Sequence, residues 1–245
     1  MNLLVLTYHY FDRGRPYGIK DEDRSYSVTA ETLEAHCRQL AEAPHQIIDP
    51  TQLETLAQEP DGRARQILIT IDDGHQSIMD IALEPVLKYG LRAIVNVVVD
   101  LVGREHYLSW SSLRDLAAKG FSIQSHSMRH RFLTRLSPPE LRSDLETSRK
   151  TIEDNVGLPV TMLAVPMGRI NRTVIDAATA AGYTVIMTSY TGINTTAGDM
   201  RALHRFQVKR AIWILPLEQY YRPLSLIRVT GAAKNAAKIV RDRLR

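Results

Sequence analysis

The chain has 245 residues, a hydrophobic content of 44%, a formal net charge of +4 and one cysteine. This length suits one α/β domain with a sizeable core, and a single cysteine excludes an internal disulfide. No apolar run approaches the roughly 18 residues of a membrane-spanning helix. The apolar segment Met1–Leu6 is too short for a signal peptide and lacks its basic flank, so we expect a cytoplasmic protein.

Apolar runs typical of strands alternate with helical patterns along the chain. The predicted strands are Leu3–Tyr8, Gln46–Ile48, Gln66–Ile71, Ala93–Val99, Phe121–Gln124, Thr161–Val165, Tyr183–Met187 and Phe206–Val208. The predicted helices are Ala30–Glu42, Thr51–Ala57, Ser77–Lys88, Ser111–Ala118, Pro138–Asn155 and Arg172–Ala181. This order predicts a parallel sheet that closes into a barrel. Aperiodic charged residues predict a loop over the barrel mouth at Phe11–Ser27 and a second loop at Asn194–Arg201.

The predicted barrel domain covers residues 1–214, and residues 215–245 form a predicted basic, helical C-terminal extension. Residues 222–245 contain seven Lys or Arg and one acidic residue, Asp242. Such a segment suits peripheral contact with anionic lipid or with an acidic partner, and the alternative is a solvated helix face. No recognised nucleic-acid-binding motif is present, so no nucleic-acid partner is predicted.

Two carboxylates stand at the end of the third predicted strand, in Thr70-Ile71-Asp72-Asp73-Gly74. Ligands bind at the carboxyl ends of the strands in parallel α/β sheets and barrels. Adjacent side chains near a strand end point to different sides, so one Asp can bind a cation while the other faces water or substrate. The alternative is a plain Asp-Gly turn.

Two histidines four residues apart, His126 and His130, follow the predicted strand Phe121–Gln124. If the segment turns helically, both imidazoles lie on one face. Imidazole is the commonest metal-binding side chain. One Asp and two His, with a second Asp beside them, therefore predict a site for metal-assisted hydrolysis.

These two motifs resemble the first two motifs of the polysaccharide deacetylases, the NodB-homology group also called carbohydrate esterase family 4. The resemblance covers residues 108–121 and 132–155 around the histidines, and Ala164–Gly168 stands where the third motif of the family lies. Similarity extends from about Met1 to Arg210. The resemblance implies an irregular (β/α) barrel, which suits seven or eight parallel strands.

The resemblance also implies residue roles. The metal ligands would be Asp73, His126 and His130. Asp72 would be the base that activates a water molecule on the metal. A backbone N–H near Pro166 and Met167 would stabilise the oxyanion.

In the family, the last motif normally supplies a histidine near the chain end as the general acid. No histidine follows His204 in this sequence, so the general acid must come from another position. Leu6-Thr7-Tyr8-His9 resembles the last family motif moved to the N-terminus, as in the permuted branch, the poly-N-acetylglucosamine deacetylases. We predict His9 as the general acid, with a structural strand-end histidine as the alternative. Tyr8 and His75 are predicted to line the substrate site.

The third motif also departs from the family pattern. An Arg that holds the base is missing there, since Ala164 and Val165 precede Pro166. Either Arg169 or Arg205 could replace it.

The predicted enzyme is a metal-dependent carbohydrate N-deacetylase, a hydrolase of a non-peptide C–N bond. Its substrate would be an N-acylated sugar or sugar conjugate, as an intracellular intermediate of envelope-glycan biosynthesis, processed in the cytoplasm or at the inner membrane face. One divalent metal is expected, Zn²⁺ first, with Fe²⁺, Co²⁺ or Ni²⁺ also compatible with the ligands. The alternatives are a catalytically inactive carbohydrate-binding or scaffold protein and a hydrolase of another small amide.

Overall fold

A curled parallel sheet forms the centre of the protein, in a computed structural model that describes residues 2–53, 65–195 and 200–221. The strands are β1 (Leu3–Tyr8), β2 (Tyr10–Asp12), β3 (Ser27–Thr29), β4 (Gln46–Ile47), β5 (Gln66–Ile71), β6 (Ile94–Val97), β7 (Ser122–Ser125), β8 (Met162–Ala164), β9 (Val185–Met187) and β10 (Phe206–Gln207). Their order in the main sheet is β10-β1-β5-β6-β7-β8-β9, and β4 pairs with β5. The predicted irregular (β/α) barrel of seven or eight parallel strands is confirmed.

Helices surround this sheet, on its outer face and at the amino ends of its strands. They are α1 (Ala30–Glu42), α2 (Leu83–Lys88), α3 (Trp110–Ala118), α4 (Pro138–Val156), α5 (Arg172–Ala180) and α6 (Leu217–Tyr221). A π-helix, Ile78–Ala82, leads directly into α2, where the sequence predicted one continuous α-helix. At the start of α4, Glu140 Oε2 accepts hydrogen bonds from the backbone N–H and the hydroxyl of Ser137, and Gly157 ends the helix with a φ of 79°.

Side chains alternate between the two faces of each strand, and this alternation positions the site. Leu3, Val5 and Leu68 belong to an apolar cluster inside the barrel, whereas their neighbours Leu4 and Ile67 pack outward in the cluster shared with the helices. Above the inner cluster, the hydroxyls of Thr7 and Thr70 are hydrogen-bonded to each other at 3.0 Å. The next inward positions on β1 and β5 are His9 and Asp72, at the carboxyl ends of the strands.

The predicted loop Phe11–Ser27 contains an element that the sequence pattern does not show. Its two ends form a parallel pair of short strands, β2 and β3, with Tyr10 opposite Ser27. The buried carboxylate of Asp12 accepts hydrogen bonds from Ser27 Oγ and from Arg210 Nη1, both at 2.5 Å. The predicted loop therefore lies between two paired strand ends, and its first strand is held by an arginine 198 residues away in the chain.

The last described residues pack against the barrel at the amino ends of the strands. Gln39 on α1 makes two hydrogen bonds with the backbone of Leu215, and the hydroxyl of Tyr221 donates to the carbonyl of Gln66 at 2.6 Å. The remainder of the predicted C-terminal extension, residues 222–245, lies outside the described residues, as do residues 54–57 of a predicted helix and 196–199 of a predicted loop. Within the described residues, every helix is too short or too polar to cross a membrane.

Candidate active site

Three predicted metal ligands meet at the carboxyl end of the sheet. The Nε2 atoms of His126 and His130 lie 3.5 and 3.6 Å from Oδ1 of Asp73, and all three ligand atoms fall within 4.8 Å of one another. Donor atoms held about 2.1 Å from one tetrahedral metal ion lie about 3.4 Å apart. The three residues therefore fit a single divalent metal ion in both chemistry and spacing.

The backbone reaches this arrangement through unusual turns. Asp73, Ser127 and His130 have φ values of 74°, 67° and 54°, in the left-handed region that non-glycine residues seldom adopt. Ser127 Oγ accepts the backbone N–H of His130 at 3.1 Å, which closes the turn between the two histidines. The segment from His126 to His130 does not turn helically, and two left-handed residues, Ser127 and His130, bring the imidazoles together instead.

The surroundings of the two histidines suit metal binding. His126 Nδ1 lies 2.6 Å from the carbonyl oxygen of Ala164, which can only accept, so Nδ1 donates there and Nε2 is the nitrogen directed toward Asp73. Burial, helped by the neighbouring His126, lowers the pKa of His130 to about 4, which leaves this ring neutral. Burial opposes ionisation of Asp73, but the nearby histidines and Tyr10 outweigh it and lower the pKa of this carboxyl.

Asp72 points into the barrel and has its own set of partners. Arg205 donates from Nη1 to Oδ1 at 2.9 Å and from Nη2 to Oδ2 at 2.8 Å, and Asn96 Nδ2 donates to Oδ1 at 2.8 Å. Burial alone would raise the pKa of Asp72, but the Arg205 charge and its hydrogen bonds hold it well below the usual range. Of the two candidates for the missing Arg, the structure selects Arg205. The guanidinium of Arg169 lies over the ring of Phe132, 4.4 Å from its centre.

His9 lies beside the two carboxylates. Burial lowers its pKa, and Asp73 and Asp72 act in the opposite direction. Its half-buried ring packs 4.9 Å from that of Tyr26, and its enclosed Nδ1 has no hydrogen-bond partner among the described residues. His204 precedes Phe206, which pairs with Leu6, so it lies toward the opposite end of β1.

Sequence reasoning missed two residues of the site, Tyr10 and Asn96. The hydroxyl of Tyr10 donates to Asp73 Oδ2 at 2.5 Å. No pattern in the sequence points to Tyr10. Asn96 did leave a signal, because it is a buried polar residue within the apolar strand β6.

Of the other predicted site residues, Pro166 and Met167 lie near the site and Tyr8 points away from it. Pro166 is buried and Met167 is exposed, with a φ of 58°, in the segment whose Ala164 carbonyl holds His126. An oxyanion role for the backbone N–H of Met167 stays a prediction. Tyr8 is a correction, because its side chain points outward and its hydroxyl is 3.1 Å from Nδ1 of His36 on α1.

His75 is a second correction. Its side chain is fully buried, bonded to Ser77 and packed edge-on against Tyr10 at 5.3 Å between ring centres. It can support Tyr10 but has no surface with which to contact a substrate.

Comparison with known proteins places the site in context. A family model described as polysaccharide deacetylase matches residues 59–186, slightly more than half of the chain. The protein YxkH of Bacillus subtilis (strain 168), which bears a provisional polysaccharide deacetylase name, is 28% identical over 207 residues, or 84% of this chain and 71% of that protein.

Solved structures share the fold. The deacetylase PplD of Streptococcus pyogenes, solved in complex with acetate, has a TM-score of 0.80 at 20% identity and covers 91% of this chain and 99% of its own. A de-N-acetylase from Aggregatibacter actinomycetemcomitans has a TM-score of 0.78 at 16% identity, over 90% of this chain and 100% of its own. His9, Tyr10 and Arg205 lie outside the range that the family model matches, so their place in the site comes from the structure.

Proposed function

Because the chain belongs to the polysaccharide deacetylase family, we propose that it is a metal-dependent hydrolase that removes an acyl group, acetyl first, from the nitrogen of an N-acylated sugar. One observation carries this proposal. A compact Asp-His-His cluster stands beside a second carboxylate, Asp72, that has a separate and fixed set of partners. A binding protein would need the cluster alone.

The proposed metal ligands are Asp73, His126 and His130. A carboxylate and two neutral imidazoles suit Zn²⁺, and also Fe²⁺, Co²⁺ or Ni²⁺. A divalent ion bound there would act as a Lewis acid toward water and the acyl carbonyl. The donor hydrogen bonds from His126 to Ala164 and from Tyr10 to Asp73 are the supporting contacts that metal ligands require.

We assign the proton transfers to Asp72 and His9. Asp72 would accept the proton of the water molecule that attacks the acyl carbon, since Arg205 and Asn96 keep it ionised and oriented. His9 would then give a proton to the nitrogen as the C–N bond breaks, so that the products are a carboxylate and a free amine. The backbone N–H of Met167 is the proposed donor to the oxyanion, because its segment is tied to the site through Ala164.

The kind of sugar and the place where it is processed are also part of the proposal. We propose an N-acylated sugar conjugate of envelope-glycan biosynthesis, processed in the cytoplasm or at the inner membrane face. The support for membrane contact is the basic composition of residues 222–245.

An inactive carbohydrate-binding or scaffold protein is the second candidate. The absence of an Arg from Ala164–Gly168 favours it, but Arg205 fills the same role from another part of the chain. Burying the Asp72–Arg205 pair costs desolvation energy, and a scaffold gains nothing from it.

The proposal is tested by acetate release from a panel of N-acetylated nucleotide sugars and lipid-linked glycans, with and without added metal. A hydrolase of another small amide would release no acetate from any of these sugars and would hydrolyse formamide or cyclic-amide controls. Elemental analysis should find one metal ion per chain in the wild type and far less in Asp73→Ala.

Asp72→Asn is the matched variant, because it keeps the shape of the side chain and removes the basic oxygen. It should retain the metal and lose most of the activity. Equal metal content in wild type and Asp73→Ala, or full activity in Asp72→Asn, contradicts the proposed site.

A further inference from the structure

The two carboxylate oxygens of Asp73 face different partners. Oδ1 lies 3.5 and 3.6 Å from the Nε2 atoms of His126 and His130, whereas Oδ2 accepts the hydroxyl proton of Tyr10 at 2.5 Å. That distance is in the range of charge-assisted O–H···O⁻ hydrogen bonds, which are about twice as strong as neutral ones. One oxygen is therefore directed toward the proposed metal position and the other is already occupied.

Tyr10 is itself firmly held. Its ring packs edge-on against the buried ring of His75 at 5.3 Å between centres. Ser77 binds His75 through its hydroxyl at 2.9 Å and also accepts the backbone N–H of Phe11 at 3.0 Å, so one side chain fixes both the ring support and the strand β2 that carries Tyr10.

We propose that Tyr10 is a positioning residue that restricts Asp73 to a single oxygen in metal binding. Coordination through both oxygens would require the carboxylate to rotate and to give up the short hydrogen bond from Tyr10. A ligand that contributes one oxygen leaves a coordination position open for water and substrate, as catalytic metal sites require. This inference rests on the proposed function, because it takes the cluster as the metal site.

The test compares Tyr10→Phe with Tyr8→Phe. Tyr10→Phe removes the hydroxyl and keeps the ring against His75. Tyr8→Phe is the matched control, since it also removes a buried hydroxyl hydrogen bond from the same segment, but on the outward face against His36. Thermal melting of both metal-free variants establishes that each is folded.

The probe is Co²⁺, whose visible absorption weakens as its coordination number rises. We expect Co²⁺-loaded Tyr10→Phe to absorb more weakly than the wild type, and its affinity for Co²⁺ in chelator competition to fall about 10- to 100-fold. Tyr8→Phe should keep the wild-type spectrum and affinity. With an active substrate, Tyr10→Phe should lower kcat more than it changes KM.

The outcomes separate this inference from the proposed function. A wild type that binds Co²⁺ while Tyr10→Phe keeps its spectrum and affinity overturns the role of Tyr10 and leaves the metal site standing. A spectral change of equal size in Tyr8→Phe would also overturn it, because the effect would then follow from the loss of any buried hydroxyl hydrogen bond in this segment. A wild type that does not bind Co²⁺ at the cluster overturns the proposed metal site and this inference together.

Discussion

Arg205 and Asp72 form a bidentate ion pair inside the barrel, with nitrogen-to-oxygen distances of 2.9 and 2.8 Å and both side chains about 2% exposed. The guanidinium is anchored further by the carbonyl of Thr188, which accepts from Nε at 2.8 Å. The parallel geometry fixes the plane of the carboxylate as well as its charge. An arginine from the segment before β10 thus holds the proposed base, although the third motif lacks one.

Removing one partner of this pair should be costly. Arg205→Gln leaves the Asp72 carboxylate buried without its counter-charge, so we expect the free energy of unfolding to fall by about 3–5 kcal/mol. Activity should fall as well, because the base is no longer oriented. Urea denaturation of the metal-free protein measures the first effect and acetate release the second.

The double variant Asp72→Asn/Arg205→Gln provides the control. It leaves no unpaired carboxylate, so it should be more stable than Arg205→Gln alone, with a clear coupling energy in the double-mutant cycle. Additive losses would show that the two residues do not act as a pair.

The sequence predicts the fold well because the strands and helices have strong local patterns. The bounds of β1, β5 and α1 agree with the predicted ranges, since in each segment the apolar residues keep one spacing and polar or turn residues flank it. The family predicted from the two motifs is confirmed by the family match. The clustering of Asp73 and His126 also follows from the sequence, because both stand where parallel strands end.

The rest of the site depends on contacts between distant parts of the chain. Tyr10 and Asp73 are 63 residues apart, and Arg205 and Asp72 are 133 apart, so no local pattern joins them. Tyr8 was misplaced because strand alternation turns it outward when it turns His9 inward. The sequence shows the order of the motifs, and strand alternation separates Tyr8 from His9, but the contacts of Tyr10 and Arg205 appear only in the folded chain.

His9→Ala tests the general acid. Loss of a proton donor to the leaving amine should lower activity by about two orders of magnitude or more, with metal content and folding retained. His204→Ala is the control, because His204 lies toward the other end of β1 and its backbone N–H bonds to Asn194. Near-normal activity in His9→Ala with failure of His204→Ala would exclude the permuted arrangement.

Truncation after Tyr221 tests the C-terminal extension. Tyr221 bonds to Gln66, the first residue of β5, whereas Asp72 follows the last, so Gln66 lies about 20 Å from the site along that strand. Truncation removes seven basic residues and one acidic residue and changes the formal net charge from +4 to −2. Turnover of a soluble substrate should be unchanged, while binding to anionic vesicles should weaken relative to neutral ones. Equal vesicle binding by both forms would remove the proposed membrane contact.

His36 should make stability depend on pH. Its side chain is fully buried on α1, and burial lowers the pKa of the imidazole from 6.5 to about 4. Between these two values the unfolded chain takes up a proton that the folded protein does not. The contribution is therefore complete above pH 6.5, declines as the pH falls, and is lost below pH 4, with a total of about 3 kcal/mol.

Urea denaturation at several pH values between 7 and 4 measures this effect in wild type and His36→Asn. Other buried histidines also have lowered pKa values, His75 and His130 among them, so the difference between the two proteins isolates the share of His36. His36→Asn should lose less stability than the wild type on acidification, because its amide does not titrate. Tyr8→Phe removes the hydroxyl that contacts His36 but keeps the imidazole buried, so it should retain the wild-type slope. Parallel pH profiles for wild type and His36→Asn would show that His36 takes up its proton equally in the folded and unfolded chain.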